Sequence, residues 1–251
     1  MPDPPGDPEN PAPPERPGFT LLFQDDFEAI DTSRWGTASH SFAENAAQFD
    51  PANVKVEDGF LQLIVNKADA PSSEGKLFRG GELRTHEFFG YGRFETRARF
   101  AKGSGLVSSL FTYYDHWADA SLEENWNEID IEYLGKNAGA VQFNVIHWNA
   151  AKVRTAHEKL WEVNFAPGDT FHVYAIEWLP TEVNFYIDEQ LVHTQTDQVA
   201  EFLTLDSRLM MNAWVVENTP DLVAWAGAVD ESALPAVSTY DWVRVYAWDG
   251  N

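Results

Sequence analysis

Short segments in which apolar and polar residues alternate recur along most of this chain, and they constrain the fold more than any other feature. In residues 90–100, apolar side chains occupy every second position and charged side chains lie between them. A period of two is typical of a β-strand with one buried face. The predicted strands are Phe19–Phe27, Val54–Val56, Phe60–Asn66, Gly90–Phe100, Gly105–Tyr113, Glu128–Tyr133, Val141–Trp148, His172–Leu179, Val183–Ile187, Leu191–Thr196, Leu209–Val215 and Tyr240–Ala247.

The spacing of these strands predicts an all-β fold. No amphipathic pattern of three helical turns occurs, and Asp115–Asn127 and Glu217–Ala236 are predicted to be long loops. A dozen strands within 251 residues favour two packed antiparallel sheets, most simply a jelly-roll β-sandwich with a cleft across its concave sheet. We expect this domain to span residues 18–251. Residues 1–17 are rich in proline and acidic side chains, which predicts a flexible linker.

Composition excludes several classes of partner. The formal net charge is −23, so the chain repels phosphate backbones and we expect no nucleic-acid partner. There is no cysteine, hence no disulfide and no thiol nucleophile. No run of 18 apolar residues occurs, so no membrane span is expected. Met1 leads into the proline-rich segment without the apolar stretch of a signal peptide.

One segment, residues 127–135, carries three acidic residues at alternate positions. Glu128, Asp130 and Glu132 alternate with Ile129 and Ile131, so the three carboxylates share one face of a strand. Like charges on one face repel one another and raise the pKa of at least one member. Such an arrangement indicates a ligand, a metal or a reaction that uses it.

Glycoside hydrolysis needs such a carboxyl pair, one group ionised and the other protonated, on either side of the scissile bond. Asp130 would lie between the two glutamates and help to separate their pKa values. The pattern alone leaves two other interpretations open. The segment could be an acidic strand that faces solvent, or it could bind calcium.

The chain resembles glycoside hydrolase family 16, and most of all its bacterial lichenases, which are endo-β-1,3-1,4-glucanases. The segment 128–132 (Glu-Ile-Asp-Ile-Glu), followed by Tyr-Leu-Gly-Lys, carries this resemblance. Family-like motifs follow in order at residues 80–84, 91–95, 107–113, 141–144, 157–159, 210–214 and 240–243. The resemblance implies an endo-acting, retaining hydrolase of β-1,3-1,4-glucan with Glu128 as nucleophile, Glu132 as acid/base and Asp130 as their assistant. It also implies a secreted enzyme, here expected to be a monomer, that needs no cofactor for catalysis.

The same resemblance assigns further residues to substrate binding. These are Trp126, Glu82, Arg84, Asn144, Trp214 and Tyr113. His147 is a further candidate because it is near Asn144. Trp126 lies in a polar loop, which favours stacking on a sugar ring. From the residues alone, Trp214 could belong to the core, Glu82 and Arg84 could be a simple ion pair, and His147 could be structural.

The family's structural calcium site is partly matched. Asp241 would supply a carboxylate, and the main-chain carbonyls of Asp26 and Gly59 would lie beside it. This is a modest donor set, because Ca²⁺ takes six to eight oxygens.

Two loops, 115–124 and 148–156, are longer than their lichenase counterparts and are expected to border the cleft. These differences leave the identity of the substrate open. A β-1,3-glucanase, a xyloglucan-active enzyme and an exopolysaccharide depolymerase remain alternatives, as does a non-catalytic carbohydrate-binding sandwich.

Overall fold

The computed structural model describes residues 13–117 and 121–250, and its regular structure is almost entirely β. The strands are β1 (Phe19–Asp25), β2 (Trp35–Thr37), β3 (Ala47–Phe49), β4 (Val54–Glu57), β5 (Phe60–Lys67), β6 (Phe78–Thr85), β7 (Gly92–Arg99), β8 (Leu106–Tyr113), β9 (Asn127–Leu134), β10 (Ala140–Trp148), β11 (Arg154–Ala156), β12 (Lys159–Glu162), β13 (His172–Trp178), β14 (Val183–Ile187), β15 (Gln190–Gln195), β16 (Arg208–Val215) and β17 (Ala236–Trp248). Two short α-helices, α1 (Val199–Phe202) and α2 (Pro220–Ala226), accompany them.

The strands form two layers. The front sheet has the order β2–β6–β16–β8–β9–β10, with β11 and β12 both paired to β10. The back sheet has the order β4–β5–β17–β7–β13–β14–β15, with β1 paired to the second half of β17. Strand β3 runs parallel to β6, and the other pairings between named strands are antiparallel. The predicted two-sheet β-sandwich is therefore confirmed.

The hydrophobic core lies between the two sheets. On the front sheet, alternate residues of β9 point into it, and Ile131 is completely buried. Aromatic rings join the layers, because Phe143 of β10 stacks on Phe185 of β14 at 4.7 Å between centroids. The Tyr240 hydroxyl of β17 donates to the carbonyl of Ser109 on β8 at 2.9 Å. This packing holds the front sheet with one face inward and the other face available for chemistry.

Five strands were not predicted from the sequence: β2, β3, β6, β11 and β12. Three of them are only three residues long, which is too short to show a period. Strand β6 contains Gly80 and Gly81, which usually weaken a strand. Here they permit close packing, because a Cβ on Gly81 would lie 2.6 Å from the Asn53 carbonyl oxygen.

The segment Glu217–Ala236 is not the continuous loop that the sequence predicts, because it contains helix α2. Pro220 is the first residue of this helix, and Gly227 follows its last residue with a φ of 88°. The seven-residue helix is too short to show an apolar period in the sequence. Of the other predicted loop, Asp115–Asn127, residues 118–120 lie outside the described residues.

The end of the proline-rich segment contacts the back sheet. Residues 1–12 of the expected linker lie outside the described residues. Arg16 forms ion pairs with Glu95 at 2.7 Å and with Glu189 at 2.6 Å. Across the described ranges, no helix is both long enough and apolar enough to cross a membrane.

Candidate active site

Strand β9 carries the three carboxylates on the face of the front sheet that points away from the core. Between them, Ile129 and Ile131 are buried in the core cluster. Asp130 is almost completely buried, whereas Glu128 and Glu132 are partly exposed. The period of two therefore gathers three acidic groups on one open face.

Strand register extends this face into a polar row across the sheet. Glu132 lies opposite Ser109 of β8 on one side and Gln142 of β10 on the other. Ser109 in turn lies opposite Asn212 of β16, and Asn212 lies opposite Glu82 of β6. The row crosses five strands, so a ligand that uses it runs across the strands and not along them.

A second row runs parallel to the first at the level of Asp130. It contains Arg84, Met210, Phe111, Asp130 and Asn144, each opposite the next in register. A third row places Tyr113 opposite Glu128. Register thus brings the predicted residues Glu82, Arg84, Asn144 and Tyr113 onto the carboxylate face.

Each glutamate accepts a hydrogen bond from a neutral donor. The indole N–H of Trp126 donates to Oε2 of Glu128 at 2.6 Å. The amide Nε2 of Gln142 donates to Oε2 of Glu132 at 3.1 Å, and the indole N–H of Trp225 donates to Oε1 of Gln142 at 3.1 Å. Two tryptophans therefore orient the carboxylates, one directly and one through Gln142.

Burial raises the pKa of all three carboxyls, and repulsion from neighbouring carboxylates adds to the rise for Asp130 and Glu132. For Glu132, burial and the charge of Glu128 raise the pKa to about 8. For Asp130, burial and both glutamates raise the pKa well above its usual range. Burial also raises the pKa of Glu128, while the Trp126 hydrogen bond and the charge of Arg154 oppose that rise. Trp126 and Arg154 thus favour the ionised form of Glu128, whereas the charge of Glu128 favours the protonated form of Glu132.

Arg154 of β11 is a positive charge that acts on all three carboxyls, and it lowers the pKa of each. Its guanidinium lies 5.5 Å from the ring centroid of Trp126. Arg154 lies opposite Trp148 in register at the end of β10. This residue belongs to the loop 148–156, and the sequence analysis did not single it out.

Trp214 and Arg84 lie toward the edges of the carboxylate face. Trp214 is 6% exposed and packs edge-on against Phe42 at 5.0 Å and beside Trp225 at 6.1 Å. Arg84 does not pair with Glu82, since its guanidinium donates to Asp115 at 3.1 Å. Burial raises the pKa of Glu82 to about 7.

The structure does not bring His147 to this face. His147 is completely buried, and its ring stacks on Phe202 of α1 at 4.8 Å. Its Nε2 lies 3.3 Å from Nε2 of His157. Position 147 is one residue out of phase with Gln142 and Asn144, so the strand period itself turns this side chain away from the carboxylates.

The expected calcium ligands form a weak donor set. The Asp241 carboxylate already accepts a hydrogen bond from Arg97 at 2.6 Å, and this ion pair neutralises its charge. The Asp26 carboxylate accepts from Gln24 at 2.7 Å. In the described ranges, no three His, Cys, Asp or Glu side chains cluster as metal ligands. Calcium binding through Asp241 and the carbonyls of Asp26 and Gly59 stays a prediction that this arrangement does not favour.

Several residues of the site were missed by sequence reasoning. Gln142, Asn212 and Ser109 lie in motifs that the resemblance identified, at positions in phase with the carboxylates. Strand period and register together could have found them. Trp225 could not be found in this way, because it reaches the site from helix α2.

Comparison with known proteins places this site in a family. The model of glycosyl hydrolases family 16 matches residues 43–244. A beta-glucanase of Brevibacillus brevis is 33% identical over 92% of this chain and 83% of its own length. A beta-glucanase of Bacillus subtilis is 38% identical over 66% of this chain and 63% of its own.

Solved structures agree with the family match. A lichenase from a mouse hindgut metagenome has a TM-score of 0.79 and 30% identity, over 92% of this chain and 100% of its own. The beta-glucanase of Bacillus licheniformis has a TM-score of 0.76 and 31% identity, over 91% of this chain and 98% of its own. These neighbours confirm the predicted jelly-roll fold. The chain belongs to glycosyl hydrolase family 16 and is a glycoside hydrolase.

Proposed function

We propose that this enzyme is an endo-acting, retaining hydrolase of β-1,3-1,4-glucan. The observation that carries the proposal is the polar row on an open sheet face, with Glu128 and Glu132 four residues apart on strand β9. A face that crosses five strands suits a polysaccharide chain that enters at one edge of the sheet and leaves at the other. The similarity to a beta-glucanase and to a lichenase supports a β-glucan substrate.

In the first step, the ionised Glu128 attacks the anomeric carbon and forms a covalent glycosyl ester. Glu132 gives its proton to the leaving glycosidic oxygen, so the bond breaks without a free alkoxide. Trp126 holds Oε2 of Glu128, and Gln142 holds Oε2 of Glu132. The carboxyl that burial keeps protonated at neutral pH thus acts as the acid.

In the second step, Glu132 acts as the base. It takes a proton from a water molecule, whose oxygen attacks the anomeric carbon and releases Glu128. Asp130 lies between the two glutamates, and its raised pKa lets it donate a hydrogen bond to Glu128. The chemistry needs two carboxyl groups and one water molecule, and no step uses a cofactor or calcium.

We include Glu82, Arg84, Asn144, Trp214 and Tyr113 in the proposed substrate-binding surface, and we leave His147 out because it faces the core side. The proposal places residues 18–251 in a single monomeric catalytic domain that acts outside the cell, where a polysaccharide substrate is met.

A digestion of barley β-glucan, laminarin and xyloglucan in parallel tests the substrate. We expect oligosaccharides from barley β-glucan at a rate at least about tenfold above that from the other two. NMR of the first products should show the β-anomer before mutarotation, as retention requires. Faster release from laminarin would favour a β-1,3-glucanase. Binding without cleavage of any of the three would favour a carbohydrate-binding sandwich.

A further inference from the structure

The end of the front sheet nearest Glu128 carries a group of aromatic residues on two loops. Strands β8 and β10 end there and β9 begins there. The backbone N–H of Tyr114 donates to the carbonyl of Asn127, and the backbone N–H of Trp148 donates to the carbonyl of Trp126. The loop after β8 supplies Trp117, and the loop after β10 supplies Lys152. These are the two loops that depart from the lichenase pattern.

The group is ordered by contacts that lead back to the nucleophile. The indole N–H of Trp117 donates to the Tyr113 hydroxyl at 3.1 Å, and Tyr113 lies opposite Glu128 in register. The rings of Trp126 and Trp148 lie 6.2 Å apart, and the indole N–H of Trp126 donates to Glu128. The cluster is therefore continuous with the proposed active site.

Trp117 is nevertheless 72% exposed, the largest fraction among the exposed large hydrophobic side chains of the described residues. A hydrogen bond to Tyr113 and a ring contact with His116 at 4.5 Å hold it in this position. An indole ring fixed in solvent suits a ligand that offers an apolar face with hydroxyls around its edge, and a pyranose ring has this shape.

Lys152 adds donors beside the neighbouring ring. Its ammonium lies 5.2 Å from the ring centroid of Trp148 and donates to the Glu124 carbonyl at 2.7 Å. An ammonium has three N–H groups, so two remain for other acceptors. We call the surface formed by Trp117, Trp148 and Lys152 the aromatic shelf.

We propose that the aromatic shelf is an additional sugar subsite that stacks one β-glucosyl ring of the substrate beside the cleft. This inference rests on the proposed β-glucan substrate. The polar row crosses the sheet at the level of Glu132, whereas the shelf lies beyond Glu128 at the strand ends. A ring on the shelf therefore lies to one side of the row, which a glucan that bends at its β-1,3 linkages permits.

Calorimetric titration of catalytically inactive proteins tests the shelf. The ligand is a size-fractionated set of oligosaccharides from a limited digest of barley β-glucan, and the parent protein is Glu128→Gln. Adding Trp117→Ala should raise the dissociation constant about fivefold to tenfold, the loss expected when one aromatic stacking contact is removed. Adding Trp117→Phe should keep it within about threefold of the parent, because a ring remains.

The matched control is Leu191→Ala, which removes another exposed hydrophobic side chain, 55% exposed, on β15 of the back sheet. This variant should bind within about twofold of the parent. An unchanged dissociation constant for Trp117→Ala would overturn the shelf while leaving the substrate assignment intact. A folded parent that binds none of the oligosaccharides would overturn the β-glucan assignment and the shelf with it.

Discussion

The nucleophile assigned to Glu128 depends on two neighbours with different tasks. Trp126 orients the carboxylate through an indole N–H at 2.6 Å. Arg154 lies over the same indole ring and supplies positive charge without a hydrogen bond to the carboxylate in the described contacts. In a chain with a net charge of −23, one cation at this position offsets part of the repulsion among three carboxyls.

Replacement of Arg154 by Gln should move the pH profile of kcat/KM toward higher pH. The positive charge favours the ionised carboxyls, so its removal raises the pKa of Glu128 and of Glu132. We expect the apparent pKa of each limb of the profile to increase by about half a unit to one unit, as for the loss of a partly solvated charge nearby. Initial rates on barley β-glucan at constant ionic strength would measure this.

Arg154→Lys is the matched control, since it keeps the charge and loses the planar group. It should keep both limbs within about 0.3 units of the wild type. If Gln and Lys variants showed the same profile as the wild type, Arg154 would have no electrostatic part in catalysis.

At the residue scale, sequence reasoning located the carboxylates because alternation on a strand fixes a shared face. The same period argues against His147 on the carboxylate face, because position 147 is out of phase with Asn144. Contacts such as the Trp126 hydrogen bond come from a loop, where no period constrains the side chain. Arg154 was missed for the same reason, since its strand is only three residues long.

At the scale of elements, strand β6 shows how glycine can set the distance between neighbouring strands. Gly81 lies opposite Ala213 of β16, and it would bring a Cβ to within 3.1 Å of the Leu63 Cα. Glu82 follows directly, so the position of β6 determines where the polar row begins. Two adjacent glycines usually weaken a strand, whereas here they allow β6 to pack tightly.

Gly81→Ala should destabilise the protein by about 1–3 kcal/mol, because the new methyl group meets backbone atoms that cannot move away. Urea unfolding followed by tryptophan fluorescence would measure the change. Gly139→Ala is the control, since the atom nearest to its new Cβ would be the Val163 carbonyl oxygen at 3.5 Å, an ordinary contact. It should change stability by less than about 1 kcal/mol. Equal effects of the two substitutions would contradict a spacing role for Gly81.

Most strands of seven or more residues were predictable, because a strand of that length displays its period; β6, which contains Gly80 and Gly81, is the exception. Strands β8, β9 and β16 were placed within about one residue of their observed bounds, inside the usual uncertainty of strand ends. Strand β3 and helix α2 could not be placed, because tertiary contacts, and not local pattern, stabilise such short elements.

At the scale of the whole molecule, the carboxylate face lowers the stability of the native state. Burial raises the pKa of Glu132 to about 8, so the native state holds a proton that the unfolded chain releases near its usual value of 4.5. Stability therefore falls as pH rises from about 4.5 to about 8. The buried Glu132 thus lowers the free energy of unfolding, and this loss grows over the same pH range in which Glu132 stays protonated in the native state.

Glu132→Gln should remove this cost. The variant should match the wild type below about pH 4.5 and exceed it by about 1–3 kcal/mol at pH 8, a range reduced because Glu132 is partly exposed. Thermal unfolding across this pH range would show the gap widen. Glu162→Gln, on the exposed side of β12, is the control and should run parallel to the wild type. A constant gap at every pH would contradict a raised pKa for Glu132.

The most direct test of the account is the hydrolysis of barley β-glucan by the wild type and by Glu128→Gln, with products resolved by chromatography. The substitution keeps the shape of the side chain and removes the nucleophilic carboxylate. We expect the wild type to release oligosaccharides, and Glu128→Gln to be at least about a thousandfold slower with an unchanged circular dichroism spectrum. A folded Glu128→Gln variant with near-wild-type release would contradict the assignment of Glu128 as nucleophile.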